Sequence, residues 1–176
     1  MIVNGSALLR AAPIVDMWPN KQVEHGVSFG LGEAGYDIRI KQTIRFWKES
    51  GARKVRVDVW NALGHLAGED TNSGRFALAS AMEEFQMPRY LSGIVHDKST
   101  WARRGLSVFN TVIEPGWKGF LTLELVYHGE GELIIPAGSG IAQVVFHKLE
   151  EPQAYSGKYQ NQEDKPVPAR TSDGKQ

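Results

Sequence analysis

The sequence predicts an all-β protein with a minor helical part, and three observations carry that prediction. Short runs rich in β-branched and aromatic residues recur along most of the chain. Gly, Asn, Asp and Pro punctuate them at short intervals. Several runs alternate apolar and polar residues with a period of two. These features alone leave a sandwich and a barrel both open. The 176 residues suffice for one core and contain no internal repeat, so residues 1–176 read as a single domain.

Taken in order, Ser6 to Ala11 suits a short helix that ends before Pro13. Pro19 to His25 is polar and reads as a loop. The β-prone runs begin at Val27. Lys54 to Trp60 sets Val55, Val57 and Val59 against charged neighbours, as a half-buried strand does. Gly64 to Gly74 carries Gly and Asp and reads as a loop. Phe120 to Tyr127 reads as a strand, with Leu121, Leu123 and Leu125 on one face and Thr122 and Glu124 on the other. Leu133 to Ile135 and Ile141 to Phe146 bracket a turn at Pro136-Ala137-Gly138-Ser139-Gly140. After Glu150 the apolar content falls, and Pro152, Pro166 and Pro168 interrupt the tail. A mobile C-terminal segment is therefore expected from about residue 151.

Twenty Lys plus Arg balance twenty Asp plus Glu, so the formal net charge is zero. Non-specific binding to a phosphate backbone needs a basic surplus or patch, so no nucleic-acid partner is expected. A small basic pocket for one triphosphate stays open. The chain has no cysteine, hence neither a disulfide nor a thiolate zinc site, which is compatible with the expected cytoplasmic location. Met1 to Ser6 lacks a charged leader followed by an apolar run. No window approaches the roughly twenty apolar residues of a membrane span, so no membrane partner is expected.

The densest chemistry lies between Asp97 and Leu125, where a hydroxyl, a guanidinium, two carboxylates and an indole come close together in sequence. Ser99 and Arg103 are four apart and share one face of a helical turn. Gly105 suits the stop of that turn. Glu124, inside an apolar strand, has two readings. It is a solvent-facing strand residue, or it is a carboxylate whose pKa a water-poor pocket raises toward neutrality, fit to act as both base and acid.

These residues also carry a resemblance. Lys98-Ser99-Thr100-Trp101-Ala102-Arg103-Arg104-Gly105-Leu106, then Glu114-Pro115-Gly116-Trp117-Lys118-Gly119, then Leu123-Glu124-Leu125 resemble the central motifs of the dCTP deaminases of the trimeric dUTPase-like superfamily. Ala34-Gly35-Tyr36-Asp37-Ile38-Arg39, Phe76-Ala77-Leu78-Ala79, Met87-Pro88, Gly140-Ile141-Ala142-Gln143 and Gly157-Lys158-Tyr159-Gln160-Asn161-Gln162 resemble its flanking elements. Order and spacing agree from about residue 25 to 170. The resemblance implies a distorted jelly-roll or β-barrel of the dUTPase-like fold, assembled as a homotrimer. It implies hydrolysis of dCTP to dUTP and ammonia, with Mg²⁺ arriving on the substrate triphosphate, and it raises dTTP as an inhibitor.

The resemblance assigns proton transfer to Glu124 and orientation of the attacking water to Ser99, which could equally cap the turn. Arg103 fixes a phosphate oxygen or holds Glu124. Lys98 takes the place of a family cation near the phosphates. Thr111 and Val112 belong to the loop from about Phe109 to Ile113, whose backbone is expected to read the cytosine edge. Glu114 contacts the 3′-hydroxyl, and Trp117 packs on the sugar and excludes a 2′-hydroxyl. Lys158, Tyr159 and Gln162 donate to phosphate oxygens from a tail folded over the site. Tyr155 adds a phenol at a spacing to Lys158 shorter than the family's. Gln143 pairs with the base edge or fills a strand. Asp97 stands where relatives often carry glycine, and its charge opposes an anion unless it points away.

Zinc deaminases place H-x-E and P-C-x-x-C around the metal. Here cysteine is absent and His25, His65, His96, His128 and His147 lack ligand spacing, so no metal site of the protein's own and no zinc are expected. Two alternatives stay open: a bifunctional enzyme that carries dCTP on to dUMP and pyrophosphate, and a catalytically silent nucleotide-binding regulator.

Overall fold

A computed structural model describes residues 1–61 and 63–171. The expected single domain, 1–176, and the C-terminal segment from about 151 both run on into the last five residues, which lie outside the described ones. In chain order the elements are β1 (Ile2–Val3), α1 (Gly5–Ala11), β2 (Lys21–Glu24), β3 (Val27–Leu31), β4 (Tyr36–Arg39), β5 (Ile44–Glu49) and β6 (Ala52–Trp60). Next come β7 (Leu66–Ser73), β8 (Phe76–Gln86), β9 (Leu91–Asp97), α2 (Ser99–Ala102), β10 (Leu106–Val108) and β11 (Val112–Ile113). The last are β12 (Lys118–Tyr127), β13 (Leu133–Ile135) and β14 (Gly140–Lys148).

The strands form three open sheets. The widest runs β11-β9-β14-β4-β3-β2, with β1 also on β14. The second is β10-β12-β8, and the third is β13-β5-β6-β7. Every pairing between these strands is antiparallel. No sheet closes on itself, so the layered, jelly-roll-like form is the one adopted and a closed barrel is not.

One apolar core joins the sheets. Tyr36, Ile38, Phe46, Val55, Ala79, Phe85, Leu123, Leu125, Ile141 and Phe146 are all buried in it. Alternation supplies these residues: Leu123 and Leu125 on β12 sit one pleat apart, as do Val144 and Phe146 on β14. The core also encloses a polar pair. Glu83 is 5 % exposed and accepts from Arg39 Nε at 2.9 Å and from the Arg39 backbone N–H at 2.8 Å. Burial pushes its pKa up, and the bonds from Arg39 oppose that shift.

Two segments read as loops from sequence are strands. Lys21–Glu24 is β2, paired with β3. Leu66–Ser73 is β7, paired with β6 from Lys54↔Ser73 to Trp60↔Leu66. All eight β7 residues are exposed, so no buried face leaves a periodic signal. Backbone pairing and the Arg56–Glu69 ion pair at 3.1 Å define it instead. The helix expected at Ser6 to Ala11 is α1, and Ala12 ends it in the left-handed conformation.

Candidate active site

β9 delivers the chain into α2, a single helical turn held at three places. The Asp97 carboxylate accepts from the Val108 N–H at 2.7 Å, so it faces the start of β10 and is already occupied. Lys98 forms a buried ion pair with Asp37 of β4, the two side chains being 11 % and 5 % exposed. The Trp101 indole N–H donates to the Gly140 carbonyl at 2.7 Å. Gly105, at φ +86°, ends the turn; a Cβ there would stand 3.1 Å from the Gly129 nitrogen.

The turn leaves Ser99 and Arg103 outward. Lys98 occupies the N-cap position and no side chain caps the turn, so Ser99 is not the cap. The Arg103 N–H donates to the Ser99 carbonyl at 3.1 Å, which sets both residues on the same exposed face. Neither side chain has a partner among the described residues. Arg104 is exposed, with its guanidinium 5.1 Å over the Trp101 ring.

Glu124 lines a cavity of about 240 Å³ that neither Ser99 nor Arg103 lines. Thr111, Val112, Ile113, Glu114, Trp117, Leu121, Thr122, Tyr155, Tyr159, Gln162 and Val167 complete the lining. The strand alternation puts Thr122 and Glu124 on one side of β12. Burial raises the Glu124 pKa, and only its own backbone N–H opposes the shift. Among the described residues, no Lys, Arg or His lines the cavity. A half-buried carboxylate without a cation is therefore poised nearer neutrality than an exposed one.

The turn at Glu114 shapes one wall. The Trp117 N–H closes it onto the Glu114 carbonyl at 3.2 Å. Trp117 is 5 % exposed, packs against Phe85 at a ring separation of 6.0 Å, and donates its indole N–H to the Tyr159 carbonyl at 2.7 Å. The tail forms the opposite wall. Tyr155 N–H donates to Pro115 O at 2.7 Å, and Gln160 Nε2 to Gly116 O at 3.0 Å. Gln162 pairs with Gly119 as an isolated parallel bridge, and Phe120 N–H donates to its carbonyl at 3.1 Å. Its amide nitrogen bonds Thr122 Oγ1.

Of the expected residues, the cavity gathers Glu124, Thr111, Val112, Glu114, Trp117, Tyr155, Tyr159 and Gln162. It does not gather Lys98, Ser99, Arg103, Gln143 or Lys158. Gln143 fills β14, opposite Asp37 on one side and His96 on the other. Lys158 is exposed; its ammonium bonds the Arg170 carbonyl and lies 5.3 Å over the Tyr159 ring. Thr122, Leu121 and Val167 are lining residues that sequence reasoning did not assign. Thr122 left a signal, its spacing of two from Glu124. Val167, between two prolines, left none.

A larger cavity of about 570 Å³ lies between the β6–β7 hairpin and the tail, lined by Val55, Trp60, Phe76, Pro166 and others. It contains no residue of the 97–125 segment. Among the described residues, no group of three His, Asp or Glu side chains could hold a metal ion. None of the described helices is long and apolar enough to cross a membrane.

Comparison with known proteins places the chain in a family. A family model described as dCTP deaminase-like covers residues 10–149. The chain is 37% identical over 153 residues to a dCTP deaminase of Campylobacter fetus, covering 81% of each chain. It is 31% identical over 160 residues to one of Acidobacterium capsulatum, covering 85% of this chain and 87% of the relative. Among solved structures, a mutant dUTPase of Staphylococcus bacteriophage 80alpha with dUpNHpp aligns at a TM-score of 0.50 and 14% identity, over 89% of this chain and 88% of that one. At that identity it speaks for the dUTPase-like fold alone. The family match and the two relatives show that this chain belongs to the dCTP deaminase-like family.

Proposed function

We propose that the protein hydrolyses dCTP to dUTP and ammonia without zinc, with Glu124 as the group that moves the protons. The observation that carries this reading is the half-buried Glu124 carboxylate, raised in pKa by burial, in a cavity with no cation beside it. In the proposed step Glu124 takes a proton from water as the oxygen adds to C4 of cytosine. It passes that proton to N3, giving a tetrahedral adduct. The second water proton then reaches the amino group, the C4–N bond breaks, and ammonia leaves a C4 carbonyl. Water and dCTP are consumed, and dUTP and ammonia balance them.

The site is proposed to be shared between copies of the chain in a homotrimer. Its cavity of about 240 Å³ falls below the ~300–1,000 Å³ typical of ligand pockets, and no cation lines it to meet a triphosphate. The exposed Ser99–Arg103 face has the complementary lack: a hydroxyl and a guanidinium with no carboxylate at hand. Placing that face of one copy over the cavity of the next supplies a group to orient the water and a cation for phosphate or for Glu124. Lys98 spends one of its three donors on Asp37 and keeps the others for phosphate. Lys158, Tyr155 and Gln162 serve the phosphates from the tail. Glu114 accepts from the 3′-hydroxyl, Trp117 excludes a 2′-hydroxyl, and Mg²⁺ enters as part of the substrate.

Product analysis after incubation with dCTP and Mg²⁺ tests the reading. Formation of dUTP with stoichiometric ammonia is expected. Accumulation of dUMP and pyrophosphate would move the assignment to a bifunctional enzyme, and intact dCTP would refute it. Loss of activity to a zinc-specific chelator, with Mg²⁺ constant, would remove the zinc-free part.

A further inference from the structure

We infer that Asp97 is a positioning residue of the reaction: its carboxylate closes the base of the loop that carries α2 and thereby sets where Ser99 and Arg103 stand. This deepens the deaminase reading and rests on it. Asp97 ends β9, where it pairs with Ala142 of β14, and α2 starts two residues later. Its Oδ1 accepts from the Val108 N–H at 2.7 Å, across eleven residues of chain. That length is short for an N–H···O bond, as suits a charged acceptor.

β10 is the edge of its sheet, with β12 on one side and, among the described residues, no strand on the other. The Phe109 N–H points to β12, where it donates to the Glu124 carbonyl at 3.0 Å. Backbone N–H groups alternate along a strand, so the Val108 N–H points the other way, off the edge. Val108 is 3 % exposed, and a buried N–H off an edge needs an acceptor. Asp97 provides it. The Lys98–Asp37 pair and the Trp101–Gly140 bond fasten the turn to the widest sheet. Asp97 fastens the same segment to β10, and so to the sheet whose middle strand carries Glu124. In a symmetric assembly, the placement of the turn against β12 within each copy is repeated at every shared site. Without the carboxylate the two ends of the loop are free to part, and Ser99 stands two residues from one of them. A misplacement of ~1 Å at a group that orients the water can cost about 10² in rate.

Full-length variants and steady-state kinetics on dCTP, taken well below each melting temperature, test this. Asp97→Ala removes the acceptor, and its kcat should fall by about tenfold to 10²-fold. Asp97→Asn keeps an oxygen that can accept from the Val108 N–H, and it should stay within about threefold of wild type. A double-mutant cycle separates aim from general stability. In a Ser99→Ala protein, with residual ammonia release followed at high enzyme concentration, adding Asp97→Ala should lower kcat by less than about threefold, because the hydroxyl that it aims is already gone. The full further loss there would mean that Asp97 supports the fold at large and would overturn the inference. So would an Asp97→Ala protein with wild-type kcat, or an asparagine variant as slow as the alanine one. Should the alanine variant fail to fold, Asp97→Glu keeps the charge and moves the oxygens by one methylene; it should slow the wild-type background and not the Ser99→Ala one. Wild-type protein that does not deaminate dCTP is a separate result, and it removes the deaminase reading itself.

Discussion

Replacing Glu124 by glutamine separates chemistry from structure. The side chain is half-buried, and no other residue among those described bonds its carboxylate. Glutamine has the same length, so within the protomer the substitution breaks no ion pair and opens no cavity. Removing a positioned acid–base group costs about 10²–10⁴ in rate, so ammonia release should fall by at least about 10² while dCTP still binds. A second measurement uses the raised pKa. Because the folded pKa lies above its ordinary value of 4.5, ionising Glu124 costs folding stability. That cost is absent below pH 4.5 and is complete once the pH has passed the raised value. Glutamine never incurs it. The melting temperature of Glu124→Gln minus that of wild type should therefore grow as the pH rises from the acid side through the raised pKa. Ammonia production would be followed with a coupled dehydrogenase assay, and melting by circular dichroism. Near-wild-type turnover would refute the catalytic assignment. A melting difference that shrinks with rising pH would refute the desolvation argument.

A shared site predicts complementation. Glu124→Gln and Ser99→Ala chains, each inactive alone, should recover about a quarter of wild-type activity when refolded together one to one, because one neighbour pair in four then joins both intact residues; zero recovery with mixed trimers present would refute it. Gly119→Ala should dislodge the tail, since a Cβ there would stand 2.5 Å from the Gln162 nitrogen at a backbone φ of +128°. Its KM for dCTP should rise and trypsin should cut the tail faster; unchanged values for both would show that the bridge is not needed. Asp37→Asn leaves Lys98 as a buried cation without its partner, and urea unfolding should show a loss of about 3 kcal/mol. A loss below about 0.5 kcal/mol would put the pair in the surface class.

Periodicity and punctuation carried most of the β-scaffold, because buried strands with one apolar face must alternate. They failed at β7, where no residue is buried, and at β2, where only Gln22 is partly covered. The ladder partners of those strands are set by the backbone, which leaves no side-chain pattern. Within the site, the motif between Asp97 and Leu125 was legible, together with the side of β12 that Glu124 occupies. A spacing of two or four along a chain specifies a face, and that much is local.

What the face looks onto is not local. Sequence placed Ser99, Arg103 and Glu124 in one motif, yet neither Ser99 nor Arg103 lines the cavity that holds Glu124. β10 runs antiparallel beside β12, with Val108 paired to Leu125 and the Phe109 N–H donating to the Glu124 carbonyl. Asp97, adverse on paper, is spent on a backbone N–H. The tail's docking on Gly119 and Thr122 joins positions more than forty residues apart in some contacts, among them Gln162 with Gly119 and Val167 with Thr122. The sequence by itself determined the fold class, the motif and the chemical types available. Tertiary structure decided which of those groups share a desolvated space, because burial, and with it the raised Glu124 pKa, depends on neighbours that only long-range packing supplies.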